Sequence, residues 1–259
     1  MLRFAAKTVL ILAGIGTALG IATPANASGA LLFAPTMPST DRLVTNEYAF
    51  WNSNHTDAVK SPDWQMDSGS LFAKAGAGYS GAIDTGPVDA LSKQHTNSAV
   101  FRLNTTRRDF GDVRVMTNLN IAQLGSTAST PKVDWDGIHI WLRYQSEYNL
   151  YYASVARRDG HIIIKKKCAG GSQNGGTYYE LAGEKSGYPI AMGQTMAVGA
   201  TVRNNSNGSV TITLIRNGKT LMSATDTGKG CAPIRNNGAV GIRGDNAKFT
   251  FTNFTVNSL

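Results

Sequence analysis

The folds open to this chain are limited most by a two-residue alternation of apolar and polar side chains, broken at short intervals by turn formers. The runs are 98–104 (SAVFRLN), 112–120 (DVRVMTNLN), 137–145, 150–158, 161–168, 196–203 (MAVGATVR), 209–216 (SVTITLIR), 219–225, 238–243 and 248–256 (KFTFTNFTV). Period two sends successive side chains to opposite faces, as in strands with one face buried. No stretch carries the spacing of a long amphipathic helix. Asp159-Gly160 and Asn217-Gly218 signal two-residue hairpins, since both residue types tolerate positive φ, and Asn207-Gly208 marks another tight turn. The expectation is an all-β chain, an antiparallel β-sandwich (β-jelly roll) at 45–259, preceded by an N-terminal segment at 28–44. Long connections at 121–132 and 169–195 are expected to be binding loops or surface excursions.

The first residues bear on compartment. Arg3 and Lys7 precede an apolar run from Val9 to Ile21, and Ala25-Asn26-Ala27 offers small residues for cleavage. This is the pattern of a secretory signal peptide at 1–27, leaving about 230 residues in a secreted (extracellular) protein. No second long apolar run follows, so no membrane partner is expected, and a monomer is. Cys168 and Cys231, the two cysteines, are expected to form one disulfide worth about 4 kcal/mol. Metal ligation would need more Cys or His at close spacing. The formal charge is +8, two units of it on Arg3 and Lys7. A basic exported protein is biased towards anionic partners such as nucleic acid, acidic polysaccharide or cell-wall polymer, although a modest excess also serves solubility alone.

Residues 133–168 hold the candidate chemistry. A four-residue loop at Ser146–Asn149 pairs Gln145 with Leu150, placing Arg143 opposite Tyr152, Trp141 opposite Ser154 and His139 opposite Ala156. A two-residue turn at Asp159-Gly160 then places Tyr152 opposite Lys167 and Ser154 opposite Lys165. Alternation defines two faces. One is the expected core face and carries Ile138, Ile140, Leu142, Tyr144, Tyr151, Ala153, Val155, Ile162, Ile164 and Cys168. The other carries His139, Trp141, Arg143, Tyr152, Ser154, Arg158, His161, Lys165 and Lys167. Lys166 falls on the apolar face, which implies a bulge or an escape to the sheet edge. A phenol between Arg143 and Lys167 should ionise more easily, which suits Tyr152 to acid or base work, with His139 as a second candidate. Trp141 offers a flat platform, and Arg102 and Arg114 on other strands extend the cationic surface. The competing reading is that these are solubilising charges and packed stems.

The C-terminal run GAVGIRGDNAKFTFTNFTV looks like the closing strands of concanavalin A-like jelly rolls. Together with NLYYASVARRDGHIIIKKK it resembles the laminin-G-like and sugar-active members of that superfamily. The resemblance implies the sandwich and leaves three activities open, since members include lectins, glycoside hydrolases and polysaccharide lyases. A hydrolase needs two suitably spaced carboxylates. The four glutamates, Glu47, Glu147, Glu180 and Glu184, lie outside the hydrolase strand motif, and the closest pair, Asp134 and Asp136, suits a turn cap or calcium equally. The alginate and glucuronan lyase members fit better. Their chemistry implies Arg102 or Arg143 neutralising a uronate, His139 as base and Tyr152 as acid or as both. Trp141, Lys165, Lys167, Arg114, Ser154 and Arg158 would then bind substrate. The expected activity is β-elimination on an acidic, uronic-acid-containing polysaccharide. A non-catalytic carbohydrate-binding module is the alternative, a hydrolase comes third, and no nucleic acid partner is expected. No cofactor is required; a structural calcium would find Asp245 in Arg-Gly-Asp-Asn, whose other reading is a turn.

Overall fold

A computed structural model describes residues 29–83 and 99–259. The expected signal peptide at 1–27 and Ser98 of the first run lie outside the described residues. In chain order the elements are β1 (Leu31–Phe33), β2 (Arg42–Asn46), α1 (Tyr48–Trp51), β3 (Trp64–Ser68), β4 (Ser70–Lys74), β5 (Ala77–Tyr79), β6 (Val100–Thr105), β7 (Val113–Leu124), β8 (Gly137–Ser146), β9 (Asn149–Arg157), β10 (Ile163–Gln173), β11 (Gly176–Glu180), β12 (Thr195–Asn204), β13 (Val210–Arg216), β14 (Lys219–Asp226), β15 (Ala239–Asp245) and β16 (Ala247–Ser258). They form two antiparallel sheets. One runs β14-β13-β12-β7-β16-β5-β4-β2 with β1 beside β16, the other β11-β10-β9-β8-β15-β6-β3. The all-β sandwich is therefore present. Each of the ten alternating runs forms a strand, because alternation lets one face of each close the core; on β7 and β13 much of the other face is less buried, whereas β8 and β9 are buried on both. Leu31 pairs with Asn257, so part of the lead-in at 28–44 is a strand of the larger sheet.

The inward faces interdigitate Val113, Val115, Val198 and Ile212 from one sheet with Phe101, Ile138, Ile140, Tyr151 and Ile164 from the other. Asn217 and Gly218 sit at φ 50° and 75° between paired Arg216 and Lys219, the expected two-residue hairpin. Asp159-Gly160 does not form one. The Asp159 carboxylate accepts from the Arg157 guanidinium and from the His161 amide, while Ile162 leaves to bridge Lys185. Ser154 consequently pairs with Ile163, not Lys165, and Tyr152 with Lys165, not Lys167.

The β8–β9 hairpin departs further. Ser146 pairs with Asn149 and Leu142 with Tyr151, so three residues of β8 oppose one of β9. Arg143 absorbs the excess at φ 49°. Lys166 neither bulges nor escapes. It is fully buried between the sheets, and its Nζ donates to both Asp226 carboxylate oxygens at 2.9 and 2.8 Å and to the Cys231 carbonyl. Cys231 is disulfide-bonded to Cys168, with Cα atoms 6.0 Å apart.

Candidate functional site

Alternation turns a second set of side chains away from the core, onto the open face of the seven-stranded sheet. Register places them in two rows. Arg102, Arg243, His139 and Ser154 run side by side across β6, β15, β8 and β9, and Trp141, Tyr152, Lys165 and Glu180 run across β8, β9, β10 and β11. Trp141, Tyr144, Leu150, Tyr152 and Ala239 pack into a small apolar layer of their own on this side; Tyr144, expected on the core face, is turned here because the irregularity at Arg143 breaks the alternation of β8. Above it lies a cavity of about 340 Å³ lined by Trp135, Tyr152, Lys165, Lys167, Gln173, Asn174, Tyr178 and Arg243.

Arg243 is the hub. Its guanidinium grips Asp245 through Nε at 2.8 Å and Nη2 at 3.0 Å, and Nη1 donates to the Tyr178 hydroxyl at 2.7 Å. Burial opposes both charges, yet Asp245 is held well below the usual carboxylate range by Arg243 and His139, and Arg243 is held well above its ordinary value by Asp245. Lys167 differs. Its Nζ bonds two backbone carbonyls, Glu147 at 2.8 Å and Asn174 at 3.4 Å, and lies 5.1 Å from the Tyr178 ring centre. Burial, with Arg243 and Arg102 nearby, pulls its ammonium down to about 8. Lys165 meets Glu180 at 3.5 Å, both partly exposed.

Behind this surface His139 is fully buried, stacked on Tyr152 at 4.4 Å, with Nδ1 3.0 Å from the Ser154 hydroxyl and Nε2 3.3 Å from Asp245. Burial lowers its pKa to about 4, from an unfolded value near 6.5. The unfolded chain thus binds more protons between these limits. Stability should be full above pH 6.5 and fall as pH drops towards 4. Urea midpoints across that interval should show the decline, and His139→Gln should flatten it; an unchanged slope would mean that His139 is not buried neutral.

Several expected site residues stand elsewhere. Arg143, turned by its bulge, is fully buried and donates to the carbonyls of Gly111, Arg235 and Asn236 and to Asp112 at 2.8 Å. It clasps loops at one end of the sandwich and does not neighbour Tyr152. Trp141 is 1% exposed and stacked on Tyr144 at 5.0 Å, so it is a layer beneath the floor and no platform. Tyr152, without Arg143 and Lys167 flanking it, has its pKa raised by burial, the reverse of the expected lowering. Ser154 is buried against His139. Arg114 belongs to β7 of the other sheet. Arg158 pairs with Asp136 at 3.0 Å and with the Gly125 carbonyl, holding the loop before β8. Lys165, Lys167 and Tyr152 do line the cavity, and Arg102 stands beside it.

Arg243 and Trp135 were not foreseen, whereas Asn174 and Tyr178 lie in the 169–195 connection expected to be a binding loop or surface excursion. Arg243 had a signal: with Val240 and Ile242 in the core, alternation turns Arg243 and Asp245 to the open face. Trp135 comes from a segment without periodicity, and the connection expected at 169–195 holds the end of β10 and all of β11, which pairs back on β10 and places Tyr178.

Asp136 serves as a turn cap, accepting from the Val133 amide at 3.1 Å and from Asn246 at 3.1 Å. Asp245 is committed to Arg243. Asp159, His161 and Glu184 place ligand atoms within 4.8 Å of one another. The fit to a cation is poor, because the Arg157 guanidinium already bonds Asp159 and reaches Glu184 at 2.9 Å. No helix among the described residues is long and apolar enough to cross a membrane.

No family model and no curated protein matches the chain. Solved structures do. A protein of unknown function with a galectin-like fold from Bacillus subtilis is 12% identical, over 89% of this chain and 97% of that one, with a TM-score of 0.53. The carbohydrate recognition domain of Emp46p, as a point mutant, is 9% identical over 86% and 96%, with a TM-score of 0.50. A carbohydrate binding module, CBM66 from Bacillus subtilis, is 14% identical over 75% and 95%, with a TM-score of 0.49. The first two share with this chain the two-sheet sandwich fold.

Proposed function

We propose that this protein is a glycan-binding module whose open sheet face holds an acidic polysaccharide. The observation that carries the reading is Lys167, whose ammonium borders the cavity and, among the described residues, hydrogen-bonds to two backbone carbonyls, those of Glu147 and Asn174, and to no carboxylate. Lys165 and Arg243 line the same cavity, each beside a carboxylate (Glu180 and Asp245), so Lys167 carries the excess charge, while Tyr178 and Trp135 add ring faces for the apolar side of a sugar. That a carbohydrate recognition domain has the same fold supports a carbohydrate ligand, and the acidic character is read from Lys167 alone. Retention on an immobilised polyuronate column tests it. The chain should bind at low salt and elute as added salt shortens the Debye length, and passage through the column at low salt would end the proposal.

β-Elimination is the second reading, favoured by one observation. The Tyr178 hydroxyl borders the cavity beside Arg243, where a departing sugar oxygen would need a proton. His139 lies beneath Tyr152 without access to the cavity. Ultraviolet absorbance from an unsaturated uronate product, lost in Tyr178→Phe, would turn the module into a lyase; a flat trace leaves binding alone.

A further inference from the structure

The cationic cavity has a neighbour of different character. A second cavity, about 780 Å³, is bordered by Trp51, Asp67, Arg102, Glu147 and Asn174. Asn174 also borders the first, and Arg102 is the direct cross-strand partner of Arg243. The two cavities are therefore adjoining stations on one sheet face. Their electrostatics differ. The Arg102 guanidinium is matched by Glu147 at 3.2 Å, and Asp67, hydrogen-bonded to Gln65, Asn104 and Tyr144, adds a second carboxyl near that one guanidinium. An anionic sugar is repelled here and attracted next door.

Trp51 supplies the contact surface. It is 61% exposed, yet its indole N–H donates to the Asp67 carbonyl at 2.7 Å and Phe50 packs edge-on at 4.6 Å. A large apolar ring held in place while facing solvent is what a sugar's C–H face stacks on, at little ordering cost.

We propose that Trp51 forms a second saccharide subsite, for an uncharged sugar, so that the groove prefers an acidic heteropolymer alternating charged and neutral units over a homopolyuronate. The inference rests on the glycan-binding reading above. Affinity measurements with hyaluronan, an alternating uronate and neutral hexosamine chain, and with polygalacturonate, a homopolymer, test it on the full chain. Hyaluronan should bind about tenfold more tightly. Trp51→Ala should remove that preference and leave polygalacturonate binding unchanged, whereas Trp51→Phe should retain part of it. Lys167→Met should weaken both. Equal affinities, or a hyaluronan affinity unaffected by Trp51→Ala, overturn the second subsite while leaving the cationic one standing. Binding of neither polymer overturns both.

Discussion

Asp226→Ala should lower the free energy of unfolding by about 3–5 kcal/mol, the loss expected when one partner of a buried ion pair is removed. Asp226 and Lys166 are both fully buried, so nothing hydrates the ammonium that would be left. The same change strips the Tyr151 hydroxyl of its acceptor at 2.7 Å and frees the amides of Gly228 and Lys229. Urea denaturation at constant m-value measures the loss. Lys166→Met with Asp226→Leu should recover much of it, since an apolar pair carries no desolvation penalty. A single-mutant loss under about 1 kcal/mol would show that the pair is not closed in the interior.

Lys165→Met with Lys167→Met should reduce affinity for an acidic polysaccharide on the order of 100-fold, the buried Lys167 contact and the more exposed Lys165 contact being lost together. Both side chains line the cavity, and neither donates to a core group. Titration calorimetry at two salt concentrations should show the salt dependence weakening with the affinity. Binding by the parent chain should also fall as pH rises through about 8, where Lys167 gives up its proton. The double variant should lose that step. An affinity unchanged by the double substitution would place the ligand elsewhere on the molecule.

Much of the sandwich was legible because period two is a local property. It needs no knowledge of partners, and β7, β12, β13 and β16 follow from it directly. What it leaves out is register. One excess stretch at Arg143 and one carboxylate at Asp159 displaced the expected pairings on both sides of β9. Those shifts moved Tyr152 away from the two cations meant to tune it. The site was accordingly half legible. Lys165 and Lys167 keep their face whatever the pairing, whereas Trp141 faces as expected but is covered by Tyr144 stacking. Trp51 and Trp135 were illegible, as each sits in a segment whose position is set by distant parts of the chain. The burial of Lys166 likewise needed Asp226, 60 positions away.

The connection from β14 to β15 crosses from one sheet to the other without regular structure of its own. It is nonetheless pinned by Cys168, Lys166, Tyr151 and Arg143, all on three adjacent strands. A segment tied in this way cannot open by itself. The Ile234 amide should exchange its hydrogen with solvent only when the whole sandwich opens, and a protease should find no nick site there while the protein is folded. Around Cys231 and Ile234 the irregular part of the chain is thus as durable as the sheets it joins.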